Sequence, residues 1–452
     1  MTSRFPGEVR RGKNQGTNFA KLLFTGYDWS WWGLGEVGLL TRLLSTTIQH
    51  GSLVLKKHDG SSLTFGKGSP EVFIRLHDAR AFWELAFDPE LKLGELYMDG
   101  RMTVEQGDVA DLLDLLMYNL AVSRPGGLFA VTRRFRRIMR HVSQLNHESR
   151  AKQNVAHHYD LSGKLYDLFL DPDRQYSCAY FDEAGESLEE AQIAKKRHIA
   201  AKLNLDRPGL RVLDIGSGWG GMALDLARDC NANVLGITLS EEQLALARQR
   251  ALKSGLADRC RFELEDYRNV KGPFDRIVSV GMFEHVGVGF YPTYFAKIRE
   301  LLKDDGVALL HTIGRSDGPG STNPWIAKYI FPGGYVPALS EMLAVIEQSG
   351  LMVTDVEVLR LHYAETLKEW RRRFKANWRD AAELYDERFC RMWEFYLAGA
   401  EMAFRREGQV VFQVQLAKRV DALPMTRDYM LESERTMRFA GIEHMPRASR
   451  AA

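Results

Sequence analysis

Cysteine is scarce in this chain of 452 residues, and the four cysteines stand far apart in the sequence. No two of them have the Cys-x-x-Cys spacing of a zinc or redox site, and none belongs to a Cys/His cluster. The sequence therefore predicts neither a metal centre nor a disulfide framework. A reduced, cytosolic protein is the simple interpretation.

Long apolar runs are also missing, and neither sign of charge dominates. No uninterrupted apolar stretch approaches the roughly 20 residues that a membrane-spanning helix needs. The polar, basic start MTSRFPGEVRRGKNQG has no apolar core of a signal peptide. With 61 basic and 59 acidic residues the net charge is +2, which argues against a protein that binds nucleic acid through bulk charge.

What is present is an ordinary globular composition, 45% hydrophobic and 27% charged, in a chain long enough for two or three domains. Residues 50–105 are rich in turns and short strands. The stretch SLVLKKHDGSSLTFG alternates apolar and polar residues around Asp59 and Gly60, which predicts a hairpin. A helical stretch, DVADLLDLLMYNLAV, follows, and RPGGLF from Arg124 then interrupts the pattern.

The stretch LFAVTRRFRRIMRHVSQL predicts an amphipathic helix over residues 128–145. Apolar residues recur at steps of three and four, and five arginines occupy the other faces. A basic amphipathic helix can lie on an anionic membrane surface. It can equally be a linker helix packed on the next domain with solvated arginines, and the sequence leaves both interpretations open.

From about residue 150 strands and helices alternate, which predicts a doubly wound α/β sheet. A helical region at about 364–406, a strand-like QVVFQVQLA and a polar tail of about 30 residues follow. We expect that tail to be loosely held. Five β-rich segments carry the alternation: LRVLDIGSG, NANVLGITL, CRFELED, FDRIVSV and GVALLHTI.

The first of these strands ends in a glycine-rich turn, VLDIGSGWGG, where a ligand can approach the backbone closely. Its spacing is not the G-x-G-x-x-G of dinucleotide sites. An acid at the start of the loop, Asp214, suits a cofactor that carries a cationic amine. This pattern is typical of class I methyltransferases that use S-adenosylmethionine. The loop consists of Gly216, Ser217, Gly218, Trp219 and Gly220.

The next two strands end in polar residues that fit the same ligand. Thr238 stands where a ribose-binding acid is usual, and Gln243 is near enough in sequence to reach a ribose hydroxyl. Asp266 and Tyr267 follow the third strand and suit adenine, one by holding it and the other by stacking. Parallel strands present their carboxyl ends at one edge of the sheet, so these side chains are expected to meet.

Together these motifs resemble the cyclopropane-fatty-acyl-phospholipid synthases, which are related to the mycolic acid cyclopropane synthases. The resemblance covers roughly residues 50–420. The stretches that carry it are LGELYMDG, NVAHHYDLSGKLYDLFLD, YSCAYF, LEEAQIAKK, VLDIGSGWGG, GITLSEEQ, GMFEHVG, LLHTIG and PWIAKYIFPGGYVP.

The resemblance implies a fold and an activity. The fold is a Rossmann-like class I methyltransferase sheet with an N-terminal α+β lipid-binding domain. The activity is transfer of a methylene group from S-adenosylmethionine to a cis double bond in an acyl chain of a membrane phospholipid. The implied division is an N-terminal domain at 1–123, a basic linker helix at 124–150, a catalytic domain at 151–420 and a tail at 421–452.

The resemblance also implies two sets of site residues. The residues implied to bind the cofactor are Tyr176, Ser177, Asp214, Gly216, Ser217, Gly218, Trp219, Gly220, Thr238, Leu239, Gln243, Asp266 and Tyr267. The family also holds a bicarbonate ion, and the matching positions are Cys178, Glu284, His311, the backbone of Ile313, and Tyr363.

Two positions depart from the family's pattern. Ser217 stands where cysteine is common, a small change. Some members have a cysteine in the late helix, and FYLAGAEMAF places Ala400 there. A nucleophilic cysteine at that position is thus excluded, which favours an ionic base.

The chemistry of the implied reaction gives Glu284 and His311 a role. Attack of an alkene on the sulfonium methyl leaves a carbocation, and ring closure needs a small base shielded from water. Glu284 follows the fourth strand and His311 ends the fifth, so both are expected to face one crevice. Glu284 would orient the bicarbonate. His285 is interpreted as a structural residue that points away.

Aromatic side chains are the other feature that this chemistry can use, because their faces stabilise a cation without attacking it. Tyr176 and Tyr363 are candidates, whereas Tyr180 and Phe181 are interpreted as core packing. The stretch PWIAKYIFPGG is either a lid that admits an acyl chain and touches a phosphate through Lys328, or an ordinary aromatic insertion.

Three rival functions remain at this point. They are a lipid methyltransferase that makes a methyl or methylene branch, a methyltransferase for a small polar acceptor, and a lipid-binding protein with an inactive domain. The apolar insertion argues against a small polar acceptor, and the intact site residues argue against an inactive domain. The expected partners are unsaturated phospholipids and an anionic membrane surface, on whose cytoplasmic side the protein would lie; a homodimer stays open.

Overall fold

The computed structural model describes residues 38–123 and 162–443. The predicted basic helix at 128–145 lies outside the described residues, as does the first part of NVAHHYDLSGKLYDLFLD. None of the helices in the two described ranges combines the length and apolar character needed to cross a bilayer.

Residues 38–123 form a four-stranded sheet with four helices. The predicted hairpin is confirmed: the first two strands pair antiparallel from Gly51↔Lys67 to Lys56↔Ser62, around Asp59 and Gly60. The sheet order is β2-β1-β3-β4. The strands are β1 (Gly51–Lys56), β2 (Ser62–Lys67), β3 (Glu71–Leu76) and β4 (Met102–Gln106). The helices are α1 (Gly38–Thr47), α2 (Ala79–Phe87), α3 (Pro89–Met98) and α4 (Val109–Ser123).

The second part is built on a seven-stranded sheet of order β10-β11-β9-β8-β5-β6-β7. The five neighbouring strands from β9 to β7 pair in parallel, and β11 pairs antiparallel with both β9 and β10. The chain leaves β5 for β6 on one side and reaches β8 on the other, so the crevice of this sheet lies at the carboxyl ends of β5 and β8. The strands are β5 (Arg211–Ile215), β6 (Asn233–Thr238), β7 (Cys260–Leu264), β8 (Phe274–Val280), β9 (Leu302–Arg315), β10 (Met352–Leu359) and β11 (Gln409–Ala417).

Helices cover both faces of this sheet, which confirms the predicted doubly wound class. One face carries a core that includes Phe295 and Ile346, the other a core that includes Ile199 and Leu226. The helices are α5 (Gly163–Asp167), α6 (Leu188–Lys202), α7 (Gly221–Asp229), α8 (Glu241–Lys253), α9 (Tyr291–Leu301), α10 (Pro324–Tyr329), α11 (Leu339–Ser349), α12 (His362–Ala376), α13 (Trp378–Leu384), α14 (Glu387–Arg406) and α15 (Asp428–Glu443). Short 3-10 turns span Phe283–His285 and Val288–Phe290.

The C-terminal segment differs from the expected loose tail. Residues 428–443 form α15, which packs on α6. Glu434 accepts a hydrogen bond from His198, and Arg438 pairs with Asp182. The expectation was wrong here because a polar segment can be held by ion pairs with distant residues, which its own pattern does not reveal.

The two parts meet where α14 packs on α3 and α4. The Tyr97 hydroxyl donates to Glu394 at 2.6 Å, and Arg406 pairs with Asp114 at 2.6 Å. Helix α10 reaches the same interface, where Trp325 is almost fully buried against Gly94. Because Gly94 has no side chain, the indole of Trp325 can pack directly against α3.

We expect Gly94→Ala to lower the free energy of unfolding by about 1–3 kcal/mol, because overpacking outweighs the better helix propensity of alanine. A Cβ at Gly94 would lie 2.6 Å from Cδ1 of Trp325. The matched control is Gly399→Ala in α14, whose Cβ would meet only Leu113, at 3.9 Å. That variant should gain about 0.5–1 kcal/mol. Urea unfolding of both variants is the measurement, and equal effects would contradict the close-approach argument.

Candidate active site

A cleft opens at the carboxyl ends of β5, β6 and β8, with a volume of about 1250 Å³ including its open mouth. It contains every residue predicted to bind the cofactor except Gly220, which caps the start of α7 with its α-carbon against Phe262. The predicted residues that line it are Tyr176, Ser177, Asp214, Gly216, Ser217, Gly218, Trp219, Thr238, Leu239, Gln243, Asp266 and Tyr267.

The glycine loop crosses the end of β6 and presents its backbone to the cleft. The amides of Gly216 and Ser217 both donate to the carbonyl of Ile237 at 2.9 Å. Gly218 has a φ of 54°, and a Cβ there would meet nothing within 4 Å. A left-handed glycine beside open space is what close approach of a ligand to the backbone requires.

Asp214, at the end of β5, is a buried carboxylate at the floor of the cleft. It is 2% exposed, and its Oδ2 has no hydrogen-bond partner among the described residues. Burial raises the pKa of Asp214 to about 7, and the nearby Lys195 opposes that rise. A buried carboxylate oxygen that accepts no hydrogen bond is costly, so a cationic donor from a ligand would be stabilised there.

The polar residues that follow β6 and β7 already make some of their hydrogen bonds within the protein. The Thr238 hydroxyl donates to Oε1 of Gln243 at 2.8 Å, so the amide nitrogen is the group that Gln243 can offer a ligand. The carboxylate of Asp266 accepts two hydrogen bonds from the guanidinium of Arg268, at 2.8 and 2.6 Å, and one from its backbone amide, at 3.0 Å. Its carboxylate is therefore already balanced by a cation, which sequence reasoning missed. The Tyr267 ring lies 5.3 Å from that of Tyr294.

Residues 171–178 close the opposite side of the cleft without belonging to the sheet. Asp173 pairs with Arg250 and, at 2.6 Å, with Lys196. Arg250 also donates to the carbonyl of Trp219 at 2.8 Å, which joins this segment to the glycine loop. Helix α6 adds Gln192, whose amide donates to the carbonyl of Ser177 at 3.1 Å.

Glu284 lies in the 3-10 turn after β8. Its Oε1 accepts from the backbone amide of Ile313 at 2.6 Å, whereas its Oε2 is buried with no partner among the described residues. Burial raises the pKa of Glu284 to about 7. The backbone amide of Ile313 therefore donates to Glu284 itself in this structure, whereas the resemblance implied a contact with the bicarbonate ion.

His311 lies within β9 rather than at its end, which corrects the predicted placement. The strand continues to Arg315 because β11 pairs with it in antiparallel register. That pairing puts Gln413 opposite His311, and their side chains meet at 3.1 Å. Burial, reinforced by Lys195 and Lys202, lowers the pKa of His311 well below its ordinary value, so the imidazole is neutral.

Cys178 and Tyr363 belong to one buried apolar cluster, and the partly buried Ile313 packs against it. The Cys178 thiol is 1% exposed and donates to the carbonyl of Ala179, and burial raises its pKa. The Tyr363 ring lies 4.9 Å from that of Phe404. Glu284 bonds to the backbone amide of Ile313, and His311 lies on the same face of β9 as Ile313.

Aromatic rings surround this cluster. Tyr176 stacks on Trp370 at 5.1 Å, and its hydroxyl lies 3.0 Å from that of Tyr396. Tyr180 is sandwiched between His198 and His362, away from the cleft lining, as expected of core packing.

One further residue departs from its sequence interpretation. His285 lines the cleft, and burial lowers its pKa to about 4; the view that it points away was wrong. Lys328, for whose segment the sequence left open a lid with a phosphate contact or an ordinary aromatic insertion, donates to Glu95 of α3 at 2.6 Å. Its helix therefore contacts the N-terminal part, although Phe331 beyond it lies 6.0 Å from the His285 ring.

Comparison with known proteins identifies the family. Residues 146–414 match the model described as mycolic acid cyclopropane synthetase, and residues 40–123 match a domain of unknown function. A probable fatty acid methyltransferase of Pseudomonas putida is 37% identical over 400 residues, 84% of this chain and 96% of that protein. The cyclopropane-fatty-acyl-phospholipid synthase of Escherichia coli is 39% identical over 358 residues, covering 78% of this chain and 90% of that one.

Solved structures agree with this result. The mycolic acid cyclopropane synthase CmaA1, complexed with SAH (S-adenosylhomocysteine) and CTAB, matches with a TM-score of 0.55 at 36% identity, over 59% of this chain and 97% of that one. The expected Rossmann-like class I fold is thereby confirmed. This chain belongs to the mycolic acid cyclopropane synthetase family and is an S-adenosylmethionine-dependent methyltransferase.

Proposed function

We propose that this enzyme transfers a methylene group from S-adenosylmethionine to the cis double bond of an unsaturated acyl chain in a membrane phospholipid, with bicarbonate as the base. The observation that carries the proposal is the buried, unpartnered Oε2 of Glu284 beside an apolar cluster. A carboxylate oxygen in that position lacks the donor that a buried acceptor needs.

Bicarbonate fits this donor set. Its hydroxyl can donate to Oε2 of Glu284, and its oxygens can accept from the Tyr363 hydroxyl. The Cys178 thiol can also donate to the ion if its single proton turns from the Ala179 carbonyl. When bound, it would supply a small base for removal of the proton. His311 is neutral and so adds no competing charge.

The chain's own residues protect the reaction. A carbocation on the acyl chain is destroyed by water, so the cation needs a dry surrounding. The cluster around Cys178 and Tyr363 is almost fully buried, and Ala400 packs against it where some relatives of this fold class carry a cysteine. The Cys178 thiol stays protonated because burial raises its pKa, so it acts as a donor and not as a nucleophile.

For the cofactor, we propose the roles that the resemblance implies. Gly216 and Gly218 let the ligand approach the loop, and Asp214 accepts from its amine. Gln243 donates to the ribose, and Tyr267 packs against the adenine. Gly220 acts indirectly, by starting α7 in a left-handed conformation with φ of 85°.

A second function is favoured by one observation. The relative from Pseudomonas putida that matches along most of its length is named a probable fatty acid methyltransferase. The alternative product is therefore a mid-chain methyl or methylene branch on the same lipid. A cyclopropane and an exomethylene group have the same mass, so NMR of lipid from vesicles incubated with labelled S-adenosylmethionine distinguishes them.

We further propose that residues 1–123 form a lipid-binding domain, 124–150 a linker helix and 151–420 the catalytic domain, which the C-terminal segment 421–452 follows. We also propose that the enzyme acts at the cytoplasmic face of an anionic membrane, as a monomer or homodimer. On α2, Phe87 is 74% exposed and stacks on the half-exposed Trp83 at 6.1 Å. Exposed paired aromatics are well suited to enter a lipid surface.

Replacing Trp83 and Phe87 by serine should weaken sedimentation with vesicles of anionic phospholipid by about tenfold or more, since each buried aromatic contributes about 1.5–3 kcal/mol. The control is Leu252→Ser, which removes a side chain of similar exposure, 70%, from α8. If both variants bind vesicles equally, the aromatic pair is not the lipid contact.

Gly218→Val should abolish cofactor binding, because its side chain would occupy the open space of the loop. Gly255→Val is the matched control: it also has a positive φ, 66°, and open space, but lies outside the cleft lining. Both variants carry the same backbone strain of about 1–2 kcal/mol. Calorimetry with S-adenosylhomocysteine should show loss for the first alone; unchanged affinity in Gly218→Val would refute the role of the loop.

Glu284→Gln keeps the shape of the side chain but puts an amide donor where the ion's hydroxyl needs an acceptor. We expect turnover to fall by about 10²–10⁴-fold if proton removal limits the rate. The wild-type enzyme should slow in bicarbonate-depleted buffer and recover on its return. If wild-type turnover ignores bicarbonate while Glu284→Gln is inactive, Glu284 itself is the base.

A further inference from the structure

Lys195 is a lysine with no exposed surface, placed on α6 under the cofactor cleft. Its Nζ donates to Oε1 of Gln175 at 2.7 Å and to Oγ of Ser177 at 2.8 Å. Within the described ranges no carboxylate forms an ion pair with it. Its hydrogen bonds go only to neutral groups, and the carboxylates of Asp171 and Asp173 stabilise the buried ammonium without pairing with it directly. The position is therefore one where a negative charge from a ligand would be stabilised.

The contact with Ser177 sets the direction of the serine hydroxyl. An ammonium can only donate hydrogen bonds, so Oγ of Ser177 must be the acceptor. The hydroxyl proton then points away from Lys195. No acceptor for it occurs in the protein among the described residues, and Ser177 lines the cleft. Ser177 is thus an oriented donor toward the cleft, polarised by the cation behind it.

Asp214 supplies the complementary group. Its unpartnered Oδ2 lies in the same cleft and is suited to accept from an ammonium. The cleft therefore contains a hydroxyl donor with an ammonium behind it, at Ser177, and a carboxylate, at Asp214. These two groups match the carboxylate and the ammonium of an α-amino acid. The amine cannot accept from Ser177, so the carboxylate of that group belongs at the serine.

We propose that Lys195 is a positioning residue that, through the Ser177 hydroxyl, binds the carboxylate at the amino-acid end of the cofactor. The inference rests on the proposed use of this cleft for S-adenosylmethionine. Lys195 itself does not touch the ligand. It fixes the Ser177 proton and places a positive charge behind it.

The test compares two ligands in Lys195→Met, which keeps the length of the side chain and removes the ammonium. S-adenosylhomocysteine carries the amino-acid group, and 5′-methylthioadenosine lacks it. We expect the variant to bind S-adenosylhomocysteine about 10- to 100-fold more weakly, as for a lost hydrogen bond to a charged group. Affinity for 5′-methylthioadenosine should stay within about threefold. Ser177→Ala should show the same pattern, and the double variant little further loss.

Lys202→Met is the matched control. Lys202 lies seven residues further along α6, is 1% exposed, and pairs with Glu357 instead of facing the cleft. The Lys202→Met variant should unfold at a lower temperature in thermal melts but keep wild-type affinity for both ligands. If Lys195→Met does not fold, Lys195→Gln, which removes the charge but keeps a donor, takes its place.

Two results overturn the proposal, and a third concerns the cofactor site on which it rests. Unchanged affinity for S-adenosylhomocysteine in the Lys195 variant overturns it. Equal weakening of both ligands also overturns it, since Lys195 would then only support residues 175–178. If the wild-type protein binds neither ligand, the proposed cofactor site itself is wrong, which is a separate failure.

Discussion

The active end of this molecule depends on ionisable side chains buried at the carboxyl edge of a parallel sheet. Asp214 and Glu284 each keep one carboxylate oxygen without a partner among the described residues, and burial raises both pKa values to about 7. Such groups are costly in an empty site and are stabilised when a ligand supplies the missing donor. The two acids thereby mark two places, one suited to a cationic amine and one to a hydroxyl donor.

These acids stay in place because segments outside the sheet enclose them. Residues 171–178 are tied to the glycine loop through Asp173 and Arg250, and α6 contributes Gln192 and Lys195 from below. On the other side, β11 extends β9 and brings Gln413 to His311. The sheet places the site, and buried polar contacts hold the segments that enclose it.

The N-terminal part contacts the same assembly through α3. Glu95 accepts from Lys328 at 2.6 Å and from Tyr329 at 2.9 Å, and Trp325 fits against Gly94. Helix α10 is thus held by the N-terminal part, whereas Phe331 just beyond it contacts Tyr396 at 5.8 Å. A segment near the active site is therefore packed by residues more than 200 positions away in sequence.

Local pattern was sufficient for much of this protein. Alternation of strands and helices predicted the sheet, Asp59-Gly60 predicted the hairpin, and the turn after β5 predicted where the cleft lies, because these features depend on neighbours in sequence. Lys195, His285 and the pairing of Lys328 were not predicted, because their meaning depends on partners far along the chain. The sequence by itself determined the sheet, its carboxyl-edge residues and the family. Only the tertiary structure decided which charges are buried and what neutralises them, because desolvation and pairing act between residues that the fold, not the chain order, brings together.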